Sequence, residues 1–178
     1  MAARRSDSPR PPQLLDGRAE RADRVTRAPH SRKGIPVRYV VLVGRICYSL
    51  IFLMTVLGHF SPGYVGYAAQ QGVPAAGVLV PLSGIIATVG ALSIILGYQT
   101  KIGAWLIVLF LVPVTLKMHA FWAVTDPMMH GMQLAHFMKN VSMFGAALLI
   151  AYFGAGPLSL DARRADRAAA PGATGMHG

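Results

Sequence analysis

The sequence predicts an all-α integral membrane protein, a four-helix transmembrane bundle, on three observations. Four long apolar blocks follow one another with short connectors between them. Only 13% of the 178 residues are charged, about half the share usual in a soluble domain, and most of that charge lies in the two tails. The connectors alternate between basic and uncharged, as they must if basic segments stay on one side of a bilayer.

Residues 1–36 are rich in Pro, Arg, Ser and Asp and have no apolar period. Such a segment cannot bury enough surface to offset its chain entropy, so a disordered basic tail is expected there. The pair Arg4-Arg5 is not an export signal, because no short apolar core and cleavage site follow it. Half of the net charge of +10 precedes the first block. With a membrane span next in the chain, the expected partners of this tail are anionic lipid headgroups rather than nucleic acid.

The spans are expected at about residues 37–59, 76–98, 102–122 and 134–154. A helix needs ~20 residues to cross ~30 Å of hydrocarbon, and the first two blocks reach that unaided. The third reaches it through the aromatic extension to Trp122, and the fourth only with Gln133-Leu134-Ala135-His136 added at its start. The connector 61–75 carries no charge and the connector 120–133 only Asp126, whereas Lys101 marks the tight link and Arg163, Arg164 and Arg167 mark the C-terminal tail. The uncharged connectors are therefore expected outside, and both chain ends in the cytoplasm. A second tail without structure is expected over 161–178. Tyr64, Tyr67, Phe121 and Trp122 suit an outer interfacial belt, and Tyr98, Trp105 and Tyr152 an inner one.

Lipid gives helices no hydrophobic reason to pair, so small and polar residues mark the expected seams. Gly44, Tyr48, Thr55 and His59 share a side of the first span; Ser83, Ala87, Gly90 and Gly97 a side of the second; Lys139, Ser142 and Ala146 a side of the fourth. This pattern predicts a bundle with a polar-lined interior. Pro113 removes a backbone donor inside the third span and predicts a kink there. Cys47, the single cysteine, excludes an intramolecular disulfide and a thiolate metal cluster.

Charges inside spans cost roughly 3 kcal/mol or more at mid-bilayer, so they are the leads to function. Arg45 lies about two turns into the first span, in the inner half. At the opposite end fall His59, Lys117, His119, His136, Lys139 and Asn140, with Asp126 as the nearby acid. They predict a cationic pocket at the outer boundary, fit for a quinone headgroup, a lipid phosphate or an anionic solute. The competing explanation is separate snorkelling and interfacial groups. Haem fits poorly: a bis-histidine site needs inward-facing histidines, and these stand at helix ends, where histidine is an ordinary interfacial residue. A metal site on the strip Met128, Met129, His130, Met132, His136 has little to support it, since methionine also fills gaps. No covalently bound cofactor is expected. Neither a phosphate loop, a carboxylate pair nor a Ser/His/Asp arrangement is legible, so a self-sufficient enzyme is not predicted.

Several of these segments together resemble the DoxX family of bacterial inner-membrane proteins. The resemblance covers about Val43 to Asp161. It rests on Gly44-Arg45, on Gly58-His59-Phe60, on Gly90 with Leu96-Gly97-Tyr98-Gln99-Thr100-Lys101, on His119-Ala120-Phe121-Trp122, on Phe137-Met138-Lys139-Asn140, and on the closing Gly156-Pro157-Leu158-Ser159-Leu160-Asp161. It implies four helices in the inner (plasma) membrane and, from some relatives, an accessory or quinone-facing subunit of a membrane redox complex with a redox partner subunit. The basic extension 1–36 departs from the family's short pattern. The rival expectations are a small permease or lipid-interacting protein, and a membrane anchor for a soluble partner.

Overall fold

The computed structural model describes residues 37–169. The expectation of disorder over 1–36, and its lipid contacts, lies outside the described residues. Four helices are long and apolar enough to span a membrane: Val37–Thr55 (α1) with its continuation Val56–Phe60 as a 3₁₀ turn, Ala76–Leu96 (α3), Thr100–Met118 (α4) with a short 3₁₀ extension Phe121–Ala123, and Pro127–Phe153 (α5). Two shorter helices complete the set, Pro62–Gln70 (α2) between the first two spans and Leu160–Ala169 (α6) after the last. No strand occurs among the described residues.

Along the bundle α1 packs on α3, α3 on α4, and α4 on α5. The side between α1 and α5 is closed by a hydrogen bond, donated by the Tyr48 hydroxyl to the Met143 carbonyl at 2.9 Å. The centre is apolar and tightly packed: Phe52, Ala87, Ala91, Ile94, Ala104, Ile107, Phe110, Leu111 and Ala147 form one core cluster. The polar-lined interior expected from the sequence is present only in part: the centre is apolar, and Arg45, Ser49, His59, Thr115 and Asn140 are buried around it. On α1 the buried side carries Arg45, Ser49 and Phe52, while Gly44 is exposed with nothing within 4 Å of it. On α5 the buried positions are Asn140 and Ala147, and Lys139 and Ser142 are exposed. Of the stripe expected on α3, Ala87, Gly90 and Gly97 are buried and Ser83 is half-buried; Gly84, Ala91 and Ile94 are buried beside them.

α3 and α4 approach each other closely at two glycines. A Cβ on Gly90 would stand 2.9 Å from the Gly103 carbonyl oxygen, and a Cβ on Gly103 would stand 3.0 Å from the Gly90 carbonyl oxygen. Each glycine thus faces the other's backbone, the arrangement by which small residues let membrane helices pack.

Two helices escaped the sequence reading. α2 lies in the uncharged connector, started by Ser61 accepting from the Tyr64 amide at 3.3 Å with Pro62 in the first turn. That Ser-Pro start was legible. α6 occupies the tail expected to lack structure from 161; Ser159 accepts from the Ala162 amide at 3.0 Å at its start. The remainder of that tail, 170–178, lies outside the described residues. The fourth span also begins two turns earlier than expected. Asp126 accepts from the Met129 amide at 2.8 Å and Pro127 opens the helix, so Asp126 is an N-cap and not the partner of the nearby lysines.

Candidate functional site

Two places collect chemistry, one at each end of the bundle. At the end where α1 begins and α5 finishes, chain segments far apart in sequence are tied together. α3 ends on Gly97 at φ +65°, whose amide donates to the Ile94 carbonyl at 3.2 Å. Gly97 admits no side chain: a Cβ there would overlap the Arg45 guanidinium and stand 2.9 Å from Ser159 Cα. Gln99 follows at φ +46°, in the left-handed region and without a side-chain cap for α4.

The cap comes from elsewhere. The Asp161 carboxylate accepts from the Gln99 amide at 2.8 Å, from the Thr100 amide at 3.0 Å and from the Thr100 hydroxyl at 3.0 Å. Its own amide donates to the Gly97 carbonyl at 2.8 Å. Partial burial disfavours the ionised acid, but these hydrogen bonds and the nearby Arg164 outweigh it and hold Asp161 below the usual carboxylate range. A negative charge also belongs at a helix N-terminus.

Arg45 completes this end. It is 4% exposed, and its Nη2 donates to the Leu158 carbonyl, fastening the first span to the segment after the last. Its Nε and Nη1, and the hydroxyl of buried Ser49, have no hydrogen-bond partner among the described residues. Arg45, expected in the inner half of the first span, here joins that span to the segment after the last one.

At the opposite end lies a cavity of about 430 Å³, within the range of small-ligand sites. α3 and α4 form its walls, α2 and the loop Val73-Pro74 its roof. His59, Tyr64, Ser83 and Lys117 are the polar groups around an otherwise apolar lining. His59 is 4% exposed and sits against Tyr64 and Phe110, ring centroids 5.2 and 5.8 Å away. The close approach that seats it needs Gly84, whose Cβ would stand 2.6 Å from His59 Cβ.

His59 Nδ1 lies 3.0 Å from the Thr55 carbonyl. A carbonyl only accepts, so Nδ1 carries the proton and Nε2 is left as the acceptor. Ser83 spends its hydroxyl on the Val80 carbonyl at 2.7 Å. Burial, with Tyr67 adding, pushes the Tyr64 phenol above its ordinary value, so it remains a donor. Leu79, Leu82 and Leu109 belong to the lining and are exposed on the outside of the bundle. The cavity thus opens sideways, toward hydrocarbon.

The six residues expected to share one outer pocket are divided. His59 and Lys117 line the cavity. His119 and His136 stack on each other between α4 and α5, centroids 5.2 Å apart, and His119 Nδ1 lies 2.9 Å from Gln133 Oε1. Asn140 is buried and lines a separate apolar groove with Leu111, Thr115 and Phe144. Lys139 is exposed and lines neither. Lys117 lies in the last turn of α4, whereas His119 follows the helix end at Met118 with a non-helical backbone (φ −127°, ψ 42°), so the two side chains part. Among the described residues no three His, Cys, Asp or Glu side chains gather to hold a metal, and Cys47 is exposed on the outer face of α1.

Known proteins similar to the chain are inner-membrane proteins. The family model described as the SURF4 family matches residues 14–166. The chain is similar to the inner membrane protein YphA of Escherichia coli (strain K12), 31% identical over 128 residues, which covers 70% of this chain and 89% of that protein. It is also similar to the inner membrane protein YqjF of the same organism, 32% identical over 124 residues, covering 68% of this chain and 88% of the relative. No solved structure matches the chain.

Proposed function

Because the chain belongs to the SURF4 family and is an integral inner-membrane protein with four apolar helices, we propose that it is an accessory, quinone-facing subunit of a membrane redox complex. One observation carries this reading: the cavity beneath α2 is apolar apart from His59, Tyr64, Ser83 and Lys117, and three of its lining leucines, Leu79, Leu82 and Leu109, are exposed on the helix surface. A quinone partitions into hydrocarbon and reaches such a site from the side. Its ring fits among Phe110, Val114 and Ile86. A quinone carbonyl accepts from the Lys117 ammonium, and a quinol hydroxyl donates to His59 Nε2. Positive charge beside the ring favours the anionic forms of the headgroup, as in an oxyanion site. Electrons come from a partner subunit. The resemblance to the DoxX family points the same way. Lateral access also weighs against a permease for water-soluble anions, which would need an aqueous path.

The test is direct binding. The purified protein in lipid nanodiscs is titrated with a ubiquinone analogue carrying one isoprene unit. His59→Phe keeps the aromatic packing and removes the acceptor, and Lys117→Met keeps the stem and removes the charge. Each is expected to weaken binding by about tenfold or more, the worth of a charge-assisted hydrogen bond in a buried site. Unchanged affinity in both variants, or a loss confined to Lys139→Ala, ends the proposal.

The same reading places the cavity at the periplasmic side and both chain ends in the cytoplasm, since Lys101, Arg163, Arg164 and Arg167 share the other end of the bundle. Reporters fused at Ala68 and Met128 are expected to register outside the cytoplasm. Cytoplasmic signal from either site reverses the orientation.

A further inference from the structure

We propose that α6 and the end of α3 form a binding site for the headgroup of an anionic phospholipid. The two elements border an open pocket of about 390 Å³, lined by Leu96, Tyr98, Leu160, Arg163, Arg164 and Arg167. Half of that lining is guanidinium and none of it is acidic.

The site is held in place on both sides. α6 is pinned at its start by the three hydrogen bonds that Asp161 accepts from Gln99 and Thr100. The Arg164 guanidinium lies over the Tyr98 ring, 4.3 Å from its centroid, a cation–π contact that fixes the fork's plane. Arg163 and Arg167 are one turn apart on the same helix, spaced to close on a single phosphate from two directions.

Position decides the occupant. Leu96 is the last residue of a membrane-spanning helix and is 55% exposed, and Leu160 is 38% exposed. An apolar surface at the end of a span meets acyl chain, and the arginines directly beyond it stand at headgroup depth. A soluble phosphate satisfies the arginines and leaves both leucines in water. A phospholipid covers all six groups, and an anionic one adds net charge to the attraction. This site is separate from the cavity of the proposed quinone site and does not depend on it.

The full-length chain, purified in mild detergent, is given phosphatidylglycerol, phosphatidylcholine or inorganic phosphate, and retained ligand is counted by native mass spectrometry. One phosphatidylglycerol per chain is expected to remain at elevated salt. Arg163→Gln/Arg164→Gln/Arg167→Gln is expected to lower that affinity by about a hundredfold, at roughly a factor of five per arginine. Arg18→Gln/Arg21→Gln/Arg24→Gln, which removes equal charge from the N-terminal tail, is expected to leave this lipid bound. If the first variant unfolds, Arg163→Gln/Arg167→Gln keeps the Arg164–Tyr98 contact and carries the test. Equal losses in the tail and α6 variants, equal retention of phosphatidylcholine, or binding of phosphate alone overturns the proposal.

Discussion

Leucine in place of Gly103 is expected to drive α3 and α4 apart and to leave the protein unable to keep its fold in detergent. The residue has no spare volume. A single Cβ there already overlaps the Ser93 hydroxyl, stands 2.6 Å from Ser93 Cβ and 3.0 Å from the Gly90 carbonyl oxygen. The last of these is backbone and has no rotamer to change. Ser93 has little room either, because its hydroxyl donates to the Tyr98 carbonyl and so closes the turn between the helices. Overpacking a well-filled core costs about 1–3 kcal/mol, and a side chain as large as leucine at a backbone crossing belongs at or above the top of that range. Gly145 on α5 is the control, with nothing within 4 Å of its absent Cβ. Gly145→Ala is expected to stabilise by no more than about 1 kcal/mol, through helix propensity. Thermal unfolding followed by size exclusion in detergent separates the two. A Gly103→Leu protein as stable as Gly145→Ala removes the α3–α4 crossing from the account.

Asp161→Asn and Asp161→Ala test the other join. The carboxylate accepts three hydrogen bonds at the start of α4. Alanine deletes all of them, and the expected loss is about 2 kcal/mol, since hydrogen bonds to charge are the stronger kind and the group is partly open to solvent. Asparagine keeps an acceptor oxygen but not the charge, and should fall between. The pH dependence has a fixed sign. Asp161 titrates below its unfolded value of about 3.9. Its contribution is therefore complete above that value and is lost as pH falls through the lower, folded value. On acidification from neutral pH the unfolding temperature of the wild type should converge on that of Asp161→Asn. Parallel curves across that interval mean that the carboxylate is not the cap.

The difference between what the residues announced and what the fold added is clearest at α1. Its hydropathy marked a span, but the face was misjudged: Gly44 is exposed and Arg45, Ser49 and Phe52 turn inward. In a soluble helix the polar side declares itself. In a membrane both the lipid and the neighbouring helix are apolar, so hydropathy carries no record of which side is which. On α3 the expected Ala87, Gly90 and Gly97 are buried while Ser83 is only half-buried, because glycine and alanine mark close approach whatever the surrounding solvent. The same limit hid the division of the outer residues. Lys117 and His119 are close in sequence, but the helix ends between them at Met118, and one lines the cavity while the other stacks against His136. Asp161 could not be assigned from its own segment, because the amides it caps lie 61 and 62 residues earlier.

By itself, then, the sequence determined that four segments are apolar and long enough to leave water for hydrocarbon, and roughly where along the chain they lie. Those are one-dimensional facts, set by the cost of moving apolar and charged groups between two solvents. Which faces meet, where a cavity is left, and which distant carboxylate completes which helix were decided only in three dimensions. They depend on the fit of side chains against a neighbouring backbone, and that fit is a property of pairs of helices.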